Sequence, residues 1–283
     1  MSTSTLVKKL SMAAPTSILN KLGGAAAAIA VGTVVASPVQ ATTLYSQTNI
    51  VTNPGAGFNG EDVSQASATV NSAGQTVTGG FRLAQSFTIA NPGLWQIDTV
   101  SVMAYMTSNY GFPPASPFTG ISVNIWDNAP GSAGSNILGS STTLQSTDWT
   151  EAYRTFNGVL NNNQRPVMNI AAAFTGLNLS AGNYWVDYAL TGTSPTGGTT
   201  AFTPFLMTTS GGQPATLTGN ARQFIPTTSQ WVTISNGNPA QGVSLPLTVT
   251  GRQVPEPASV LGLLAVGALG VTSGLKRKQQ QEG

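Results

Sequence analysis

The 283-residue sequence contains no cysteine and no histidine, and only 7% of it is charged. Each shortage removes a class of chemistry. Without cysteine there is no disulfide framework, no lipidated cysteine behind a leader and no thiol nucleophile. Without histidine, zinc sites lose their usual ligand, and Ser-His-Asp and Cys-His mechanisms lose their base. Lysine is confined to the ends, at Lys8, Lys9, Lys21, Lys276 and Lys278. Between Thr42 and Arg252 the cations are Arg82, Arg154, Arg165, Arg222 and Arg252, set against seven carboxylates, which leaves this stretch at −2. Such a body has no basic face for phosphates, and no nucleic-acid partner is expected.

The ends have their own composition. Lys8, Lys9 and Lys21 form a basic leader ahead of LGGAAAAIAVGTVVA, the apolar run from Leu22 to Ala36. Val39-Gln40-Ala41 then puts small side chains where a signal peptidase needs them, so residues 1–41 read as a signal peptide cut between Ala41 and Thr42. A 15-residue apolar core is short for a membrane span. At the other end Ala258 to Leu275 is uncharged, and as a helix it reaches roughly 27 Å, close to the hydrocarbon thickness. Lys276, Arg277 and Lys278 follow it. Basic residues stay on the cytoplasmic side, so the body is expected outside and the tail inside.

Pro255-Glu256-Pro257 stands just before that apolar run. Its two prolines keep the backbone extended and out of the helix, holding a carboxylate at the membrane surface. The order of tripeptide, apolar helix and basic cluster, behind a signal peptide, resembles the PEP-CTERM sorting signal of Gram-negative bacteria. The resemblance spans residues 254–278. It implies that the membrane protease exosortase recognises Pro255, Glu256 and Pro257 and removes the helix at 258–275 with the basic tail at 276–278. It also implies transient anchoring in the inner membrane, then a place at the cell surface or beyond, in the company of exopolysaccharide and biofilm systems. An ordinary anchor that is never cut is the other reading of the same residues.

The body is rich in Gly, Ser, Thr, Asn and Pro, with short alternating runs between turn residues. FRLAQSFTI (Phe81 to Ile89) and QIDTVSVMAYM (Gln96 to Met106) are split by Asn91-Pro92-Gly93. Ile121, Val123 and Ile125 share one side of ISVNIW. In YWVDYAL, Tyr184, Val186, Tyr188 and Leu190 face one way and Trp185, Asp187 and Ala189 the other. AFTPFLM, QWVTIS and SLPLTVTG complete the set, and Pro246 marks the last as an edge strand. Only the stretch around Arg165 to Phe174 has any helical character. Many short strands without crossover helices predict an all-β fold, an antiparallel β-sandwich or jelly roll, over residues 81–252. Residues 42–80 read as a polar, looser segment leading into it. The alternating body also looks like the β-sandwich domains that PEP-CTERM proteins often contain.

No catalytic site emerges, and the body reads as non-catalytic. A glycosidase needs only two carboxylates, and Asp127, Asp148, Glu151 and Asp187 are the candidates, yet scattered acids in a β domain serve more often as turn formers or arginine partners. Asp127, Asn128 and Asn136 in DNAPGSAGSN could offer oxygen to calcium, but Asp-Asn-x-Pro-Gly is also a common turn. No cofactor is expected. Of five tryptophans, Trp126 and Trp185 lie in strong strands beside a carboxylate, which makes them the candidate glycan contacts; the alternative for all five is core packing. The expected function is thus an exported surface or matrix protein, with a carbohydrate-binding module as the alternative. The expected partners are signal peptidase, exosortase and an exopolysaccharide.

Overall fold

The computed structural model describes residues 40–66, 74–156, 158–206, 219–236 and 241–255. The run opens with β1 (Thr42–Gln47), a 3-10 turn at Phe58–Gly60, β2 (Asp62–Ala66) and β3 (Gln75–Thr76). The long strand β4 (Arg82–Met106) follows, then β5 (Phe118–Trp126), β6 (Ile137–Ser141), β7 (Leu144–Phe156), β8 (Pro166–Ala173) and β9 (Asn178–Gly192). Short strands complete it: β10 (Ala201–Thr203), β11 (Arg222–Ile225), β12 (Gln230–Thr233), β13 (Ser235–Asn236), β14 (Gln241–Gly242) and β15 (Leu247–Gln253). Among the described residues the fold is all-β. The predicted C-terminal helix and the leader at residues 1–39 lie outside them.

Thirteen strands form one mixed sheet, whose main path is β2-β7-β8-β4-β9-β5-β6. β2 and β7 are parallel and the other pairs antiparallel. β4 is the spine of the sheet. Its first half pairs with β9 and its second half with β8 and β15. The β4–β9 register breaks between Ile89 and Leu94, across Asn91-Pro92-Gly93. Pro92 has no N–H to donate and Gly93 takes φ +106, so the turn residues read from sequence become an irregularity within one strand. Residues 42–80 contribute β1, β2 and β3, paired with β15, β7 and β10.

Two local expectations are corrected. The stretch with helical character is strand β8. It lies between β7 and β4, and Val167, Met168, Ile170, Ala171 and Ala172 are all buried, so period-2 alternation is lost. The last strand is not at an edge, for β15 pairs with β1 on one side and β4 on the other. Pro246 immediately precedes its first residue, where no ladder donor is needed.

The alternation of β5 and β9 holds as predicted: Ile121, Val123, Ile125, Val186, Tyr188 and Leu190 are buried. They join Leu83, Phe87 and Ile89 of β4 and Leu247 and Val249 of β15 in one apolar core. Each such side chain contributes about 1.5–3 kcal/mol by leaving water. A cation is also enclosed. Arg154 is fully buried and donates to Ser64 Oγ at 2.8 Å and to the Tyr105 hydroxyl. Burial pushes the Tyr105 phenol up to about 12.

Candidate functional site

The opposite faces of β5 and β9 carry the polar half of the same alternation. Asn124 stands across from Asp187, and Trp126 across from Trp185, so the two indoles rise from adjacent strands on one face. Directly opposed residues have Cβ atoms about 4.5–5.5 Å apart. Both indoles are half-buried.

Asp187, the next residue on that face of β9, is fully buried. Its carboxylate accepts from Arg82 Nε, from Asn124 Nδ2 at 3.0 and 3.3 Å, and from Trp126 Nε1 at 2.5 Å. Arg82 also donates to Ser122 Oγ at 3.2 Å and to the Ser122 carbonyl at 3.3 Å. Ser140 Oγ donates to Asn124 Oδ1 at 2.7 Å, extending the network onto β6. A buried carboxylate must be paired and hydrogen-bonded to persist, and this one is. The result is mechanical: Trp126 is pinned by its N–H, with its ring fixed beside Trp185.

Sequence reasoning singled out Trp126 and Trp185 and missed Arg82, Asn124 and Ser122. Two signals were available. Arg82 is one of only five cations in a body where Asp187 must find a partner, and Ser122-x-Asn124-x-Trp126 alternates against Ile121-x-Val123-x-Ile125.

The DNAPGSAGSN loop begins next to Trp126, but Asp127 faces into its own turn. Its carboxylate accepts the Asn136 backbone N–H at 2.7 Å and Asn136 Nδ2 at 3.0 Å, while Asn128 Oδ1 accepts the Ala129 N–H at 2.8 Å. Hydrogen bonds from the Asn136 backbone and side chain hold the Asp127 carboxyl below its ordinary range. Among the described residues no group of three His, Cys, Asp or Glu side chains is placed to hold a metal. The loop instead packs on β11 and β12. Arg222 donates to the Pro130 carbonyl at 2.7 Å, and Gly131 is in contact range of Trp231.

The other rings lie elsewhere. Trp95 is buried in the core, its N–H donated to the Asn91 carbonyl at 3.1 Å. Trp149 joins an aromatic group with Phe112, Tyr153 and Phe58. Trp231 packs against Phe224. Asp148 and Glu151 are exposed on β7, which the main path of the sheet separates from Asp187 on β9 by β8 and β4.

At the chain ends, Ala41 and Thr42 are exposed and Thr42 begins β1. Pro255 is exposed two residues after β15. Glu256, Pro257 and the tail at 258–278 lie outside the described residues; among the described ones no helix is long and apolar enough to cross a membrane.

Comparison with protein families finds a PEP-CTERM protein-sorting motif at residues 253–278. The motif implies an exported protein processed by exosortase and sorted to the cell surface. No curated protein matches the chain.

Proposed function

We propose that this chain is an exported structural protein of the cell surface or extracellular matrix. A signal peptidase cuts it before Thr42, its C-terminal helix holds it briefly in the inner membrane, and exosortase then removes that helix. The observation that supports this most strongly is the sorting motif at 253–278, which begins at the last residue of the body's last strand. We read the sheet as folded back on itself into a non-catalytic sandwich, because residues from both halves of β4 share one core. Low charge and abundant hydroxyl and amide side chains suit a hydrated, exopolysaccharide-rich setting.

Glu256→Ala tests the sorting reading in cells that contain an exosortase. The wild-type body should be released from the membrane fraction, and the variant should stay there with its tail. Equal release of both would favour an ordinary anchor.

A second reading is favoured by one observation, the opposition of Trp126 and Trp185 next to a buried carboxylate that holds the Trp126 N–H. Indoles held side by side on a sheet face offer flat surfaces to the CH faces of sugars. In that case the body is a carbohydrate-binding module. Calorimetry with the host exopolysaccharide should then give saturable binding that Trp185→Ala abolishes.

A further inference from the structure

The two ends of the body meet at one place. β1 starts at Thr42, opposite Gly251, and runs antiparallel to β15. On its other side β15 pairs with β4 through Gly251 and Ile97, Arg252 and Gln96, and Gln253 and Trp95. The Val254 N–H then donates to the Leu94 carbonyl at 2.8 Å. Pro255, the next residue, opens the sorting tripeptide. Hydrogen bonding to the sheet thus continues to the residue before the tripeptide, within the first residues of the matched sorting motif.

A register shift between Thr250 and Gly251 divides β15. Before it, Leu247 and Val249 are fully buried and pair on both sides. Beyond it, Arg252 and Gln253 are exposed, and β1 no longer flanks them. What holds this end is shallow. Arg252 Nε reaches Gln96 Oε1 at 3.3 Å and Asp98 at 3.7 Å, on the surface. The Gln253 side chain lies over Gly93, where a Cβ would come within 2.7 Å of its Nε2. A strand end held by surface contacts beyond a register shift is the part of a sheet that opens at least cost.

Each residue spans at most about 3.5 Å, so the tripeptide lies within roughly 10 Å of Val254. A protease that grips several residues in extended form around its scissile bond therefore collides with β4 unless Arg252 to Val254 move aside. We propose that Arg252, Gln253 and Val254 act as a clip that must peel from β4 before the tail is cut, so that the hold of the clip sets the rate of C-terminal processing. This rests on the sorting reading above. The cut itself breaks one peptide C–N bond, water supplying a hydroxyl to the acyl carbon and a proton to the nitrogen.

The absence of native cysteine gives a clean test. Gln96→Cys with Arg252→Cys places two thiols on directly opposed residues, within reach of a disulfide in the oxidising compartment to which the chain is exported. The full chain, tagged after Gly283, is pulse-labelled in exosortase-bearing cells and loss of the tag is followed. The locked chain should lose its tag about tenfold more slowly than wild type, as expected if the open state must be populated first, and dithiothreitol should raise the rate at least to that of wild type. Arg252→Ala, which needs no lock, should process about two- to fivefold faster, the factor that an exposed ion pair carries. Wild-type rates in both variants, with Glu256→Ala still uncut, would overturn the clip and leave the sorting reading standing. If Glu256→Ala loses its tag like wild type, the sorting reading fails and the clip fails with it.

Discussion

Removing the Asp187 carboxylate is the sharpest perturbation of the outer face. Asp187→Ala deletes an acceptor shared by Arg82, Asn124 and Trp126 in a fully buried position. Truncating one partner of a buried ion pair typically costs about 3–5 kcal/mol. The Arg82 side chain is 22% exposed and keeps its bonds to Ser122, so it regains some solvation and the low end applies, about 3 kcal/mol. At about 2 kcal/mol per molar urea, the midpoint of the purified body, residues 42–255, should fall by roughly 1.5 M. Asp187→Asn keeps one acceptor but turns an amide donor toward other donors, and should lose about 2 kcal/mol. The emission of Trp126 should shift to the red in both variants as its N–H is released. A loss in Asp187→Ala below about 0.5 kcal/mol would refute the reasoning, because it is the size of a solvated surface change.

Three further outcomes follow from the same geometry. The Tyr188 hydroxyl is fully buried and donates to Thr203 Oγ1 at 3.2 Å, and burial raises its ionisation far above the ordinary phenol range. The unfolded chain therefore releases this proton first. Stability is whole below about pH 10 and falls as pH climbs towards the folded value; Tyr188→Phe should cost about 1 kcal/mol at neutral pH but flatten that decline, and an unchanged alkaline slope would refute it. A Cβ at Gly192 would come within 2.4 Å of the Pro117 carbonyl oxygen, a backbone atom, whereas one at Gly139 meets the movable end of Leu177 at 2.9 Å. Calorimetric melting should show Gly192→Ala losing about 1–3 kcal/mol and Gly139→Ala less, and the reverse order would count against the packing. Iodide should quench the half-buried Trp126, Trp149, Trp185 and Trp231 but not Trp95, which is 8% exposed. Trp95→Phe should then leave the quenchable intensity intact, and a drop in that intensity would place Trp95 at the surface.

Alternation was the part of the fold that could be read directly. In β5 and β9 one face is apolar and the other polar, so period-2 patterning put Val186, Tyr188 and Leu190 on one face, and that face is buried in the core. The pattern also put Asp187 on the outer face, as it is, but gave no hint of its burial. That burial depends on Arg82 from β4 and on Asn124 and Trp126 from β5, residues 60 or more positions away that only strand order brings together. β8 was obscure for the opposite reason. A strand covered on both faces has no polar side, and its Met, Ile and Ala residues resemble a buried helix. Pro246 misled because a proline bars only the ladder position that it occupies, and here it precedes the ladder. The sorting signal was legible because its recognition depends on order along the chain alone.

The central claim is that the chain is cut at both ends and survives as its β body. The most direct test is the intact mass of the protein recovered from the surface or medium of cells that contain an exosortase. The recovered chain should begin at Thr42 and lack residues 258–283. A released protein that still ends at Gly283 would contradict it.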